Sequence, residues 1–272
     1  MKSEPLVSVI MPAWNNEDYI ETAVDSLLNQ TYKNWELIVV NDASSDKTGE
    51  VIDRLAGKDK RIRAYHNKQN IKQTRSRNFA ISKAKGKYIA LLDSDDERLP
   101  TSLEKQLKFL ETNSDVVAVG TAAQWCDGQM NRLNDRRYPL GNQEIRRTFF
   151  RYSPFCLASL MIRADKLESP AYNPQLEPAE DIDLAMRLGA KGELANLAEP
   201  LYRVRTHKQS VTQRGARLME KKTFYVRRQA VRNYGYEVTL ADKIYNGVQF
   251  ATMYLMPPRL RFWLFNKIRS SK

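Results

Sequence analysis

Short apolar bursts alternate with helix-period segments along the first two thirds of the chain, the arrangement of parallel strands joined by crossover helices. Leu6–Met11 is a β-rich run that Pro12, lacking an N–H, is expected to close. Ile20, Ala23, Val24, Leu27 and Leu28 then fall at i, i+3, i+4, i+7 and i+8, one face of a helix, with Asn16 as its expected N-cap. Trp35–Val40 is a continuous apolar strand of the kind buried on both faces. The turn-rich Asn41–Ser45 leads into a helix with Val51, Ile52 and Leu55 inward. Ile62–Tyr65 predicts a short strand, Gln73–Lys83 a helix, and Lys87–Leu92 a strand that runs directly into Asp93-Ser94-Asp95-Asp96. Pro100 suits the first turn of a helix carrying Leu103, Leu107 and Leu110, and Val116–Gly120 is strand-like again.

The pattern up to about Gly120 predicts an α/β fold with an open, doubly wound, Rossmann-like sheet, which binds ligands outside the carboxyl ends of its strands. Beyond it the pattern is less regular, with a helix starting at Glu180 and a basic helix over Lys221–Tyr234. No internal repeat or low-complexity linker divides the chain. At 272 residues, 42% hydrophobic and 28% charged, the composition excludes a disordered or fibrous chain. No apolar run reaches the length of a membrane span, and no signal-peptide pattern opens the chain, so a cytoplasmic protein, or one touching a membrane from the side, is expected. Cys126 and Cys156 have neither metal-ligand spacing nor disulfide density and are expected to be reduced and structural.

Charge changes the picture, because the net +12 is unevenly placed. Between Arg203 and Arg232 there are ten basic residues against the single acid Glu220, and Lys243–Lys272 adds six more with no acid. An electrostatic surface built by the last third and aimed at an anionic partner is expected. At the other extreme, Asp93, Asp95 and Asp96 crowd together after a buried strand, where folding alone would not place like charges. They read either as a solvated turn capping the next helix or as ligands for Mg²⁺ or Mn²⁺, which bind through one or two carboxylates plus water and phosphate oxygens.

Four motifs settle the context. Val7–Asn15, Val39–Asp46, Leu91–Asp96 and Glu180–Leu184 occur in an order and spacing that resembles family 2 glycosyltransferases of the GT-A fold. The resemblance covers roughly Val7 to Thr212. It implies a GT-A type sheet over residues 1–215, with a nucleotide-sugar half (1–120) and an acceptor-side half (121–215), followed by a basic, aromatic helical extension (216–272). It implies an inverting transfer of a sugar from a nucleoside diphosphate, a UDP-sugar foremost with dTDP- and GDP-sugars also admissible, to a hydroxyl acceptor. The setting it implies is a glycan or lipid-linked glycan in bacterial surface polysaccharide assembly.

The same resemblance implies the site residues. Pro12 and Trp14 match positions lining the base pocket, and Asp42 occupies the place of the carboxylate that accepts from the base. Arg77 matches the arginine that approaches the nucleotide and diphosphate. In Asp93-Ser94-Asp95, Asp93 would contact the sugar nucleotide and Asp95 the metal, Mn²⁺ or Mg²⁺, with His207 of Arg205–Thr212 as a further ligand. Asp96 would cap or support from behind. Asp181 matches the general base. Lys72 departs from the family, which has Gly there, leaving the shape of that loop open; Lys72 or Arg75 could share the role of Arg77. His66 matches no motif and is expected at the surface or a strand edge.

Tyr245–Leu264 mixes aromatic, aliphatic and basic residues around Pro257-Pro258. It fits an interfacial segment on anionic lipid and equally a helix packed on the catalytic body. Two other functional classes fit part of the sequence. A basic nucleic-acid-binding protein would use the net charge but not the acidic strand end, so no nucleic acid is expected. A nucleotidyltransferase would share the metal-bound diphosphate but attack phosphorus.

Overall fold

The computed structural model describes residues 4–206 and 216–256. In chain order the strands are β1 (Val7–Ala13), β2 (Trp35–Asn41), β3 (Ile62–His66), β4 (Tyr88–Leu91), β5 (Glu97–Arg98), β6 (Val116–Cys126), β7 (Arg132–Arg136), β8 (Met161–Arg163) and β9 (Glu193–Arg205). The helices are α1 (Ile20–Leu28), α2 (Thr48–Lys58), α3 (Gln73–Lys83), α4 (Ser102–Thr112), α5 (Asn142–Thr148), α6 (Glu180–Gly189), α7 (Ala216–Asn233) and α8 (Leu240–Leu255). One sheet runs β3-β2-β1-β4-β8-β6-β9-β5, with β7 added on β6.

Its first half is the predicted parallel α/β unit, since β1 pairs in parallel with both β2 and β4, and β2 with β3. Fully buried β1 and β2 carry no polar alternation because helices cover both of their faces. Ile20, Ala23, Val24 and Leu27 of α1 are buried, as their spacing required. Across β4 the sheet changes sense: β8 is antiparallel to β4 and β6, while β9 returns parallel to β6. The doubly wound open sheet with a helical C-terminal part is therefore present, and the sheet extends through the segment whose sequence pattern was irregular.

Three local expectations are corrected. Pro12 does not end β1; it lies inside the strand opposite Val40. Its missing donor falls on the β4 side, where pairing has stopped because β4 matches β1 only from Val7 to Ile10. Asn16 does not cap α1, which starts at Ile20 after Tyr19; its carbonyl takes the N–H groups of Tyr19 and Ile20, and its side chain is used elsewhere. Pro100 lies just outside α4, two residues before Ser102.

A buried arginine supports the centre. Arg98, 1% exposed, donates to the carbonyls of Leu91, Ser159 and Leu160 and to Ser102 Oγ and Gln106 Oε1, joining the end of β4 to α4 with no carboxylate partner among the described residues. Cys126 and Cys156 are buried and unbridged. Among the described residues no helix is long and apolar enough to cross a membrane.

Candidate active site

Parallel strands deliver their carboxyl ends to one edge, and the motif residues follow those ends. Two loops are clasped together there. Asn15 N–H donates to Ser44 Oγ (3.0 Å), and Asn15 Oδ1 accepts from Ser45 N–H (2.8 Å). Asn15 and Ala43 take up positive φ (51° and 55°) to make these turns. Beside them Pro12 is buried while Trp14 stays 53% exposed.

Asp42 is buried just past β2. Its Oδ1 accepts from Asn67 Nδ2 (2.7 Å) and the Ile71 N–H (3.0 Å), so it braces the loop that leads into α3. The turn within 41–44 is made by its neighbour, Asn41 Oδ1 accepting from the Ser44 N–H at 3.1 Å. Lys72, at the position where glycine was expected, has φ 73° and ψ 159°. That region is almost exclusive to glycine and costs another residue about 1–3 kcal/mol, so the loop keeps a glycine-type shape in spite of its lysine. His66, at the end of β3, lies between Asn41 Nδ2 (3.1 Å) and Asp53 Oδ1 (2.9 Å), away from the acidic turn, at the strand edge expected for it.

Arg77 is the centre of the constellation. Buried on α3 and 3% exposed, it donates through one terminal nitrogen to Asp93 Oδ1 (2.7 Å) and through the other to Asp181 Oδ1 (2.8 Å). Glu180 Oε1 is 3.9 Å from it, and the guanidinium carbon stands 5.7 Å from the Tyr172 ring centroid. Although burial works against its charge, Asp181 and Asp93 keep the guanidinium protonated well above its ordinary range. Burial raises the Asp181 carboxyl above its ordinary value; Arg77 opposes that rise and Asp93 adds to it.

Asp93, Asp95 and Asp96 share the turn after β4, as the sequence placed them. Asp93 and Asp95 are half-buried, and Asp96 is buried. Burial, with Asp95 and Asp93 beside it, pushes the Asp96 carboxyl well above the usual range. Asp96 accepts from the Arg205 N–H (2.8 Å), Arg205 Nε donates to the Asp95 carbonyl (2.8 Å), and the Asp93 N–H donates to Tyr202 Oη (3.2 Å). Asn16 Nδ2 donates to Ser94 Oγ at 2.5 Å, the use to which its side chain is put. The family resemblance implies a divalent cation here, and three carboxyl groups crowded on one turn, two of them half-buried, fit one. The donor set suits a hard ion held by one or two carboxylates with phosphate and water completing its shell. Among the described residues, no three His, Cys, Asp or Glu side chains form an all-protein cage. His207 lies outside the described residues.

Sequence reasoning missed Tyr172 and Tyr202. Both are buried, one against Arg77 and one beneath the acidic turn, and neither lies in a motif. The signal for Tyr202 was the strand β9, hidden by Glu199-Pro200 in its middle.

Glu180 is a further buried acid, whose Oε2 has no hydrogen-bond partner among the described residues. Burial and the neighbouring Asp181 push its carboxyl up to about 7, against the pull of Arg77. Because that value lies above the ordinary 4.5, Glu180 supports the fold fully below pH 4.5 and loses that contribution as pH rises through 7. Glu180→Gln is therefore expected to gain stability over the native protein as pH rises from 5 to 8, read from urea midpoints; a pH-independent difference would remove the effect from Glu180.

A parallel strand edge, an acidic turn after β4 and a second carboxylate brought in on a helix N-terminus give the sheet the GT-A architecture. The chain belongs to glycosyl transferase family 2, whose family model matches residues 8–168. It is similar to an uncharacterized glycosyltransferase of Haemophilus influenzae, 30% identical over 93% of this chain and 82% of that protein. It is also similar to chondroitin synthase of Pasteurella multocida, 33% identical over 86% of this chain but only 24% of that larger protein. Among solved structures, S. aureus TarS in complex with UDP-GlcNAc superimposes with a TM-score of 0.70 at 18% identity, covering 91% of this chain and 72% of that one. At that identity the likeness establishes the fold.

Proposed function

We propose that this glycosyltransferase is metal-dependent and inverting, and that it moves a sugar from a nucleoside diphosphate to a hydroxyl of a glycan or lipid-linked glycan in cytoplasmic assembly of a bacterial surface polysaccharide. One observation carries the reading: Asp93 and Asp181, from motifs far apart in the chain, hold opposite nitrogens of the same buried guanidinium, so the donor-side and base-side carboxylates stand either side of one side chain. Residues 1–120 serve the donor and 121–215 the acceptor, with 216–272 appended.

In this reading Trp14 stacks on the base, Asp42 accepts from its N–H, and Pro12 walls the pocket. A UDP-sugar is favoured, supported by UDP-GlcNAc in the fold relative TarS. Polysaccharide assembly is supported by chondroitin synthase among the relatives. Asp95 and His207 would hold Mn²⁺ or Mg²⁺, which when bound offsets the charge of the departing diphosphate. Asp93 contacts the sugar nucleotide. Arg77 contributes positive charge at the diphosphate end while it orients Asp181. Asp181 takes the proton of the acceptor hydroxyl; that oxygen bonds to the anomeric carbon, and the electron pair of the breaking C–O bond leaves with the nucleoside diphosphate. A single displacement inverts the centre. The raised pKa of Asp181 brings its basicity closer to neutral pH, which is what a general base requires.

The test is incubation with Mn²⁺ and a panel of sugar nucleotides, measuring nucleoside diphosphate release with and without glycan acceptor. Release of inorganic pyrophosphate in place of nucleoside diphosphate would assign the site to nucleotidyl transfer. No release from any donor would refute glycosyl transfer by this site.

A further inference from the structure

The helix α8 has two faces with different fates. One is fixed to the body: Asp242 takes Arg151 Nε (2.8 Å), Asn246 Nδ2 donates to the Phe150 carbonyl (2.9 Å), and Asn246 and Gln249 accept from the buried Arg227 (2.7 and 3.1 Å). A capping box between Thr239 and Asp242 starts the helix. The opposite face carries Leu240, Ile244, Val248 and Leu255, exposed by 73, 60, 52 and 80%. At i, i+4, i+8 and i+15 they make one continuous aliphatic stripe, and nothing in the described fold covers it.

Exposed cations lie on the two helices α7 and α8. Lys243 is exposed on α8, whose single acid, Asp242, is buried. On α7, exposed Leu218, Tyr225 and Val231 are interleaved with exposed Arg217, Arg228 and Arg232. Between the two helices a cleft of ≈ 280 Å³ has walls of Phe150, Phe224, Val231 and Val238, with Arg228 and Lys243 at its lining. Cations over an apolar recess match an anionic amphiphile, head outward and chain inward.

The helix pair also has a defined position relative to the cleft. Lys222 of α7 donates to the Glu177 carbonyl, just before α6, and Tyr236 Oη, beyond the end of α7, donates to the Met186 carbonyl. Helices α6 and α7 therefore run in the same direction, with their N-termini at the end of α6 that carries Asp181. The T-shaped contact of Phe224 with Phe250 (5.6 Å) brings α8 back along α7, so the stripe leads toward that same end.

We propose that this α7–α8 face is a docking surface for an anionic phospholipid bilayer, holding the Asp181 end of α6 at the membrane. The inference is independent of glycosyl transfer and would stand if the acceptor were soluble. A second copy of the chain is disfavoured because a two-fold interface would set the same cations against each other. Nucleic acid would engage the arginines but offers nothing to an aliphatic stripe. The sequence over residues 257–272 holds five more cations and no acid. Its Leu260, Phe262, Trp263 and Leu264 continue the same mixture of apolar and basic residues.

Cosedimentation of the full chain with vesicles of phosphatidylglycerol and phosphatidylcholine, and with phosphatidylcholine alone, tests this. Binding is expected only to the first. The triple variant Ile244→Ser, Val248→Ser, Leu255→Ser and the pair Arg228→Gln, Lys243→Gln are each expected to weaken it by about tenfold or more. Both variants alter exposed side chains, so thermal unfolding and donor hydrolysis without lipid should match the native protein, separating failure of docking from failure of the active site. Undiminished vesicle binding by the triple variant would overturn the proposal. So would absence of vesicle binding, whether accompanied by a lipid-free dimer that the triple variant dissolves, by salt-sensitive binding to an oligonucleotide, or by neither.

Discussion

Asp181→Asn is expected to lower turnover by about 10²-fold or more while leaving the dissociation constant for the sugar nucleotide nearly unchanged. The amide keeps an oxygen for the Arg77 N–H that now reaches Asp181 at 2.8 Å, so the cleft wall should hold its shape. What it cannot do is accept the hydroxyl proton as the acceptor oxygen attacks. Nucleoside diphosphate release under saturating donor and acceptor gives the rate, and calorimetric titration gives donor affinity. A variant with native turnover would take the base role away from Asp181. A variant with weakened donor binding and native turnover per bound complex would assign it to the donor pocket.

Arg77→Met should produce the largest loss of stability of any single change in the site. It places an apolar chain where a 3% exposed cation joins Asp93 and Asp181 and lies 3.9 Å from Glu180. Removing one member of a buried ionic network leaves the others uncompensated, at a cost of about 3–5 kcal/mol. The pH dependence identifies the cause. Without the guanidinium, the pull that restrains the Asp181 and Glu180 carboxyls is gone, and both rise further above their ordinary values. Raised carboxyls favour the fold at low pH and lose that support as pH climbs, so the variant should recover part of its deficit near pH 5 and show its full deficit near pH 8. Equilibrium urea unfolding at the two pH values checks this. A small deficit, equal at both, would mean that the ion pairs are not what fixes Arg77. Arg77→Lys should remain impaired, because a single ammonium cannot satisfy two carboxylates lying on opposite sides of a planar fork.

Much of the donor half was legible because its information is local. Apolar runs such as Trp35–Val40 state that a strand is buried on both faces, and Gln73–Lys83 is the helix α3 to the residue. Motifs at the ends of parallel strands must share an edge, which brought Pro12, Trp14, Asp42 and Asp93 together before any coordinates. The acceptor half was less legible. β9 is interrupted by Glu199-Pro200, and its pairing with β6 shifts register near Ala122, so no uniform period marks it. Tyr202, which supports the acidic turn from beneath, was lost with it. For Asn16, the cap suggested by local pattern gave way to a contact with Ser94, 78 residues away, that no window of sequence contains.

The sequence by itself determined the strands and helices of the first half, the enzyme family, the acidic turn and the excess of positive charge in the last third. Periodicity and motif order record which side of an element is buried and where a chain reverses. Tertiary structure alone decided that Arg77 faces two carboxylates, that Lys72 keeps a glycine's backbone, and that α8 fixes its polar face inward while its aliphatic face meets solvent. Each of these depends on which distant segment closes against an element, and that is set by packing the whole sheet rather than by any local run of residues.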